Sequence, residues 1–123
     1  MRLLLVWFAV ERVSTRAGAW ERRERESMRV MLKFTIPTTK ESNDQIRDGR
    51  MGRMMETLFG DLQPEAAYFC PIDGKRGGYI VFNMEEASDS VTKLEPFWLE
   101  LGAEIETVPV MNADDLRAGL QRL

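Results

Sequence analysis

Residues 29–36 read RVMLKFTI, and apolar side chains alternate with other side chains through the whole stretch. A period of two over eight residues predicts a β-strand with one buried face, and Pro37 ends it. The apolar set of this strand is Val30, Leu32, Phe34 and Ile36. Alternation places this set against the helices and leaves Met31, Lys33 and Thr35 on the opposite face.

Beyond this strand the apolar period switches in the order helix, strand, strand, helix, strand, ending near Met111. A helical period over about residues 40–59 predicts the first helix, with Gly60 as its stop. Gly49 and Gly52 disfavour a helix interior, which indicates either a close approach to the sheet or a local break.

Two short runs rich in aromatic and β-branched residues, 66–72 and 78–84, predict a β-hairpin. The connecting residues 73–77 read DGKRG. Their glycines and Lys75 do not indicate a phosphate-binding loop, because such a loop joins a strand to a helix.

A second amphipathic segment closes at Gly102, and Pro96 predicts a break within it, with a new helical turn starting at the proline. The expected buried stripe of this segment is Val91, Leu94, Phe97, Trp98 and Leu101. Residues 103–111 predict the fourth strand, which Pro109 confines to an edge or a bulge. A short helix over 113–123 ends the chain.

The composition suits a single domain of 123 residues with an acidic body. Lys and Arg number 17 against 20 Asp and Glu. Six arginines and four glutamates fall within residues 1–27, which leaves 11 cationic and 16 anionic residues from Met28 onward. Because counterion release needs clustered Lys or Arg, we expect no nucleic-acid partner.

The chain has no histidine and one cysteine, Cys70. Without imidazole the commonest general base, haem ligand and metal ligand are missing, so we expect no metal and no cofactor. Cys70 is predicted to be a small core residue, since no histidine can activate its thiol. An unpaired cysteine is typical of a reducing compartment, which favours the cytoplasm.

Residues 1–27 are predicted to be an N-terminal extension of a domain that covers residues 28–123. The apolar run Leu3–Val10 is far shorter than the roughly 20 residues that span a bilayer, so no membrane partner is expected. Trp20–Ser27 is almost entirely charged, which favours a disordered segment, and an upstream start chosen in error would look the same because Met28 directly precedes the first strand. A signal peptide and a membrane-touching or partner-binding segment are the alternatives.

The uncovered face of the predicted sheet supplies the candidate ligand pocket. Its candidate residues are Lys33, Tyr68, Tyr79, Asn83 and Glu106. This half-polar, half-aromatic composition suits a cavity better than a solvated sheet or a dry sandwich. The simpler interpretation is that the tyrosine rings pack, and that Lys33 is neutralised by Glu104 or Glu106. No nucleophile–base pair or metal set is visible, so no catalytic residue is assigned.

The strand order, together with the runs EPFW at 95–98 and EIETVPV at 104–110, resembles small proteins of the dimeric α+β barrel superfamily over about residues 28–123. The resemblance is to an uncharacterised branch, distantly similar to muconolactone isomerases and antibiotic-biosynthesis monooxygenases. It implies an α+β fold, ferredoxin-like βαββαβ with an antiparallel sheet and a short C-terminal helix, in which two protomers pack their open sheets into a barrel. Haem-using relatives need a histidine ligand, which this chain lacks.

These observations predict a small homodimeric protein that binds a small organic ligand between two sheets. The alternative is a cofactor-independent monooxygenase or isomerase, in which the cavity positions an aromatic or enolisable substrate that supplies its own reactivity.

Overall fold

The structure, a computed structural model, describes residues 27–123. Apart from Ser27, the predictions for the N-terminal extension therefore lie outside the described residues. The elements are β1 (Met28–Ile36), α1 (Lys40–Arg47), α2 (Arg50–Leu62), β2 (Ala66–Ile72), β3 (Lys75–Met84), a π-helical turn (Ser90–Leu94), α3 (Glu95–Leu101), β4 (Glu104–Pro109) and α4 (Ala113–Leu120). The described part is thus an α+β structure. None of its helices has the length and apolar character needed to cross a membrane.

The four strands form one antiparallel sheet in the order β2-β3-β1-β4. β1 lies in the centre, where Leu32 pairs with Ile80 of β3 on one side and Thr107 of β4 on the other. β2 and β4 are the outer strands, and each contains a proline, Pro71 and Pro109. The edge position predicted for the strand with Pro109 is confirmed.

The core lies between one face of the sheet and the helices α2 and α3. All four predicted apolar residues of β1 are buried, and Ile80 and Phe82 of β3 are fully enclosed beside them. The helices cover this face with the side chains of Met51, Leu58, Leu62, Leu94, Phe97 and Leu101. Burying each large apolar side chain stabilises the fold by about 1.5–3 kcal/mol, so this layer holds most of the stabilising contacts.

The helical region predicted over residues 40–59 is two helices, so a single continuous helix was wrong. Gly49 lies between them with φ of 83°, a left-handed conformation that L side chains rarely adopt. Of the two alternatives that the glycines left open, a close approach to the sheet and a local break, the break is the one present at Gly49. Gly60 does not stop α2, which continues to Leu62 and ends at Gln63 in a left-handed conformation.

The predicted hairpin is present, but its turn is shorter than expected. Asp73 and Gly74 have φ of 52° and 77°, which is typical of a two-residue type I′ turn, and β3 begins at once with Lys75. Gly78 then passes under two aromatic rings. A Cβ there would meet the Tyr68 carbonyl oxygen, and the missing side chain lets the rings of its two cross-strand neighbours, Phe34 and Phe69, meet edge to face at 6.3 Å.

The second amphipathic segment changes from the π-helical turn to α3 just before Pro96, and Gly102 ends it with φ of 58°. Leu94 and Glu95 both keep right-handed helical dihedrals, so the predicted break is a change of helix type and not an interruption. The prediction that Val91 and Trp98 are buried was wrong, since Val91 is 65% exposed and Trp98 is 45% exposed. The π-helical turn has more residues per turn than an α-helix, so a 3.6-residue period cannot be extended back to Val91. Trp98 lies beside the narrow buried stripe of Leu94, Phe97 and Leu101.

α4 begins with a capping box, and none of its side chains is buried. The Asn112 Oδ1 accepts from the Asp115 N–H at 2.8 Å, and the Asp115 Oδ2 accepts from the Asn112 N–H at 3.0 Å. Leu116 and Leu120 remain about half exposed. The apolar side of α4 is therefore without a partner among the described residues.

Candidate functional site

The side of the sheet opposite the core is not covered by α1, α2 or α3, and we call it the open face. Its side chains, given by strand alternation, are Arg29, Met31, Lys33, Thr35, Ala66, Tyr68, Cys70, Tyr79, Val81, Asn83, Glu104, Glu106 and Val108. All are half-buried or exposed, whereas the residues between them on the central strands are buried. The open face is therefore where a ligand or a second chain has room to bind.

Four of the five predicted pocket residues lie in one row across the open face. Tyr68 pairs with Tyr79, Tyr79 pairs with Lys33, and Lys33 pairs with Glu106. Because neighbouring strands are about 4.8 Å apart, this central row spans about 14 Å. The register thus brings two phenols, an ammonium and a carboxylate onto one line.

The members of the central row differ in exposure. Tyr68, on the outer strand β2, is 71% exposed, whereas Tyr79 and Lys33 on the inner strands are half-buried. Among residues 27–123, Lys33 forms no ion pair with a carboxylate, although Glu106 is its cross-strand neighbour. The predicted ion pair with Glu104 or Glu106 is therefore not formed.

A cavity of about 240 Å³ lies at the hairpin end of the open face, beside Lys33. Its lining includes Thr35, Glu104 and Glu106, and also Asp73 from the β2–β3 turn. Sites for small molecules usually enclose roughly 300–1,000 Å³, so this cavity holds only part of such a ligand. Sequence reasoning missed Asp73, because a turn residue has no alternation to place it on a face.

Asn83, the fifth predicted pocket residue, lies away from the central row. It is four residues beyond Tyr79 on β3, a distance of about 13 Å along a strand. Its cross-strand neighbour is Arg29, and its carbonyl oxygen accepts from the Lys93 Nζ at 3.0 Å. The structure therefore separates Asn83 from the other four candidates.

Arg29 forms the main ionic cluster at this end of the open face. Its Nε donates to Glu65 at 2.8 Å and its Nη1 donates to Asp115 at 2.5 Å, while its side chain is only 20% exposed. The hydrogen bond that Arg29 donates to Glu65, followed by the negative charges of both carboxylates, raises the pKa of Arg29. Arg29 thus connects β1 to the start of β2 and to the first turn of α4.

Alternation placed Arg29 on the same face as Lys33, but no sequence signal identified its partners. Glu65 and Asp115 are 36 and 86 residues away, and nothing local marks either of them as an arginine ligand. Such pairings become visible only when the strand order is known.

Cys70 is exposed on the outer strand β2, so its prediction as a core residue was wrong. Its position opposite Gly77 leaves it on the open face, where no helix covers it. Within residues 27–123, no group of three or more histidine, cysteine, aspartate or glutamate side chains is arranged to hold a metal ion.

No protein-family model matches the chain, and no curated protein matches it at a significant level. Among solved structures, the chain is similar to the uncharacterized protein TM1266 from Thermotoga maritima. The two share 11% sequence identity with a TM-score of 0.47, and the match covers 70% of this chain and 100% of that one. A likeness at this level indicates nothing about a ligand or a reaction of this chain.

Proposed function

We propose that this protein is a homodimeric α+β barrel protein of the ferredoxin-like type, which binds a small organic ligand between the open faces of two copies. The order β2-β3-β1-β4 supports the fold assignment, because the first and third strands occupy the centre of a ferredoxin-like sheet. The exposed thiol of Cys70 suits a reducing compartment, and we propose the cytoplasm as its location.

The central row is the observation that carries this proposal. A sheet face that evolved for water alone would carry more charge, and one that packs dry would not place Lys33 beside Glu106. Rigid tyrosine rings next to an ammonium group provide both stacking area and hydrogen bonds. Such a mixture favours an organic molecule that has an aromatic or conjugated body and a polar group.

The central row is also complementary to itself, which supports a second copy as its cover. A two-fold axis parallel to the strands reverses one row against the other. Tyr68 of each copy then faces the carboxylate end of the other row, and Tyr79 faces the ammonium end. Phenol–carboxylate hydrogen bonds and ammonium–ring contacts are both favourable, and the cavity beside Lys33 is completed from the second copy.

Exposed apolar side chains near the C-terminus provide further contact area. Val108, Met111, Leu116 and Leu120 are each 47–67% exposed. The contact between Asp115 and Arg29 holds the start of α4 beside the open face, so these side chains lie near the proposed interface. A stable dimer buries about 800 Å² on each partner, which the row alone is too small to supply.

The assembly is tested by measuring the mass of the full chain in solution by sedimentation at about 10 µM. The test variant is Met31→Asp, which places a carboxylate at the centre of the open face. The matched control is Leu99→Asp, because Leu99 lies on α3 and is 73% exposed. We expect a dimer for the native chain and the control, and a monomer for Met31→Asp, because two carboxylates then face each other across the axis. A native monomer, or dissociation by Leu99→Asp alone, would contradict the proposal.

The ligand is tested by isothermal titration with a panel of aromatic acids, quinols and β-diketones. We expect a member of the panel to bind the native dimer, and Tyr79→Phe to weaken that binding, because one hydroxyl contact is lost. Asn83→Ala serves as a control on the same strand, since Asn83 lies outside the central row. Oxygen uptake or isomerisation of the bound compound would assign the alternative activity, a cofactor-independent monooxygenase or isomerase.

A further inference from the structure

A second cavity lies on the helix-covered side of the sheet, between the α1–α2 junction and the β2–β3 hairpin. It is a groove open to solvent, with a volume of about 370 Å³. Its apolar lining is formed by Phe34, Ile36, Ile46, Met51, Met55 and Phe69. Phe69, which is 58% exposed, stacks on Phe59 with ring centroids 5.6 Å apart and forms one side of the opening. This volume falls within the range of small-molecule sites and is larger than the cavity on the open face.

Two glycines, Gly49 and Gly52, belong to the lining of this cavity. Gly49 joins α1 to α2 in the left-handed conformation, and Gly52 follows in the first turn of α2. A Cβ added to Gly52 would meet no heavy atom within 4 Å, so the space beside the helix is empty there. Glycine in a helix costs about 1 kcal/mol relative to alanine, and no packing contact at Gly52 offsets that cost.

One cation lies at the edge of the apolar cavity. Arg76 belongs to the cavity lining, and its Nη1 donates to the Asn43 Oδ1 at 2.8 Å. Asn43 is neutral, and Arg76 forms no ion pair with a carboxylate among residues 27–123. Asn43 therefore orients the guanidinium group without neutralising its charge. The remaining N–H groups of Arg76 can bind an anion at the cavity mouth.

We infer that this cavity binds a small organic anion with an apolar body, of the medium-chain monocarboxylate class. The carboxylate binds the guanidinium of Arg76, which matches its planar geometry. The hydrocarbon tail of the ligand lies against Met51, Met55 and Phe69, where the flexible methionine side chains adapt to its shape. The site lies across the sheet from the central row, so it is separate from the ligand proposed for the open face.

The methionine methyl groups report where such a ligand binds. The full chain, labelled with ¹³C at the methionine methyls, is titrated with octanoate and, separately, with octanol as the uncharged analogue. We expect saturable shifts at Met51 and Met55. Met54 lies outside this cavity on the same helix, and Met31 lies on the open face, so both signals should stay in place.

Three variants test the chemistry of the site. Arg76→Gln should weaken octanoate binding by about tenfold and leave octanol binding unchanged, because only the charged contact is lost. Lys75→Gln removes the same charge from the neighbouring residue and should change neither. Gly52→Leu should abolish binding of both compounds, because the new side chain occupies the empty space beside α2.

The inference is overturned if the octanoate shifts appear at Met31 and not at Met51 and Met55, or if no methionine shift saturates. Equal octanoate affinity in Arg76→Gln and the native chain would also overturn it. If Arg76→Gln does not fold, Gly52→Leu tests the site instead. This variant is expected to fold, because a Cβ at position 52 of the helix meets no heavy atom within 4 Å. Retained octanoate binding in a folded Gly52→Leu would then exclude the site.

Discussion

The two faces of the sheet are built from the same alternating strands, yet they end in different surroundings. On β1, Leu32 is fully buried under the helices, whereas the next residue, Lys33, lies half-buried on the open face with no carboxylate bonded to it among the described residues. The helix-covered face is apolar and packed, and the open face combines rings with charges. Alternation therefore determines which residues share a face, and the other layers determine whether that face is covered.

The largest expected effect comes from adjacent substitutions on the two faces. Phe82→Ala should lower the free energy of unfolding by about 3–5 kcal/mol, because it leaves a cavity in the packed core. Val81→Ala, on the open face, should lower it by less than about 1 kcal/mol. Urea unfolding of dilute protein measures both values. Equal losses would mean that the single chain packs both faces equally well.

A pair of glycine substitutions should shift stability in opposite directions. Gly78→Ala should destabilise the fold by about 1–3 kcal/mol, because its Cβ meets the Tyr68 carbonyl oxygen and lies 3.0 Å from the Phe34 ring. Gly52→Ala should stabilise it by up to about 1 kcal/mol, because the new methyl group meets nothing and favours the helix. Thermal unfolding compares the two. A stabilising Gly78→Ala would show that the hairpin and β1 are not held this close.

The stabilising effect of the loop at residues 85–89, which joins β3 to the π-helical turn, should decrease at acidic pH. The Asp89 Oδ2 accepts from the N–H groups of Glu85 at 2.9 Å and Glu86 at 3.2 Å, and these hydrogen bonds lower the pKa of Asp89 below its usual value of 3.8. A carboxylate whose pKa is lowered in the folded protein stabilises the fold at every pH above its pKa in the unfolded chain. This stabilisation is lost as the pH falls through its pKa in the folded protein. Asp89→Ala should therefore cost about 1 kcal/mol at pH 7 and progressively less below pH 3.8.

The matching measurement compares urea unfolding of the native chain and Asp89→Ala from pH 7 down to pH 2. The difference between them should shrink only at the acidic end. A difference that does not change with pH would show that Asp89 acts through its shape alone.

The smallest expected effect concerns the ionic cluster on the open face. Arg29→Met keeps the length of the side chain but removes the bonds to Glu65 and Asp115. Because these pairs are partly exposed, the melting temperature should change little. The amides of α4 should nevertheless exchange with deuterium faster, since this helix buries no side chain to hold it in place. Unchanged exchange in α4 would show that Arg29 does not anchor it.

The strands could be predicted from the sequence because their signals are local. Alternation in residues 29–36 and the two runs around the Asp73–Gly74 turn specify strands and a hairpin without any tertiary information. The break at Gly49 was also indicated by the residue itself. The π-helical turn was not, because a widened helical turn depends on how its side chains pack against α2 and the sheet rather than on their spacing.

The candidate site was predicted as a face but not as an arrangement. Tyr68, Tyr79, Lys33 and Glu106 were assigned to the open face by alternation, but their alignment in one row depends on three strand registers. Of these, only the pairing of Tyr68 with Tyr79 is set by the hairpin turn, which was predicted to be five residues long and has two. Asn83 was grouped with them because it shares their face of the sheet, although it lies four residues beyond Tyr79 along β3. The bond between Arg76 and Asn43 joins residues 33 positions apart, so no local pattern pointed to the second cavity.

The two outer strands limit how this sheet can grow. Pro71 on β2 and Pro109 on β4 have no N–H to offer, and β4 adds the charges of Glu104 and Glu106 along its length. A β-strand of another molecule that paired with either outer strand would form an interrupted ladder of backbone hydrogen bonds, which disfavours growth of the sheet into fibrils. Lateral polymerisation of the sheet through either outer strand is therefore disfavoured.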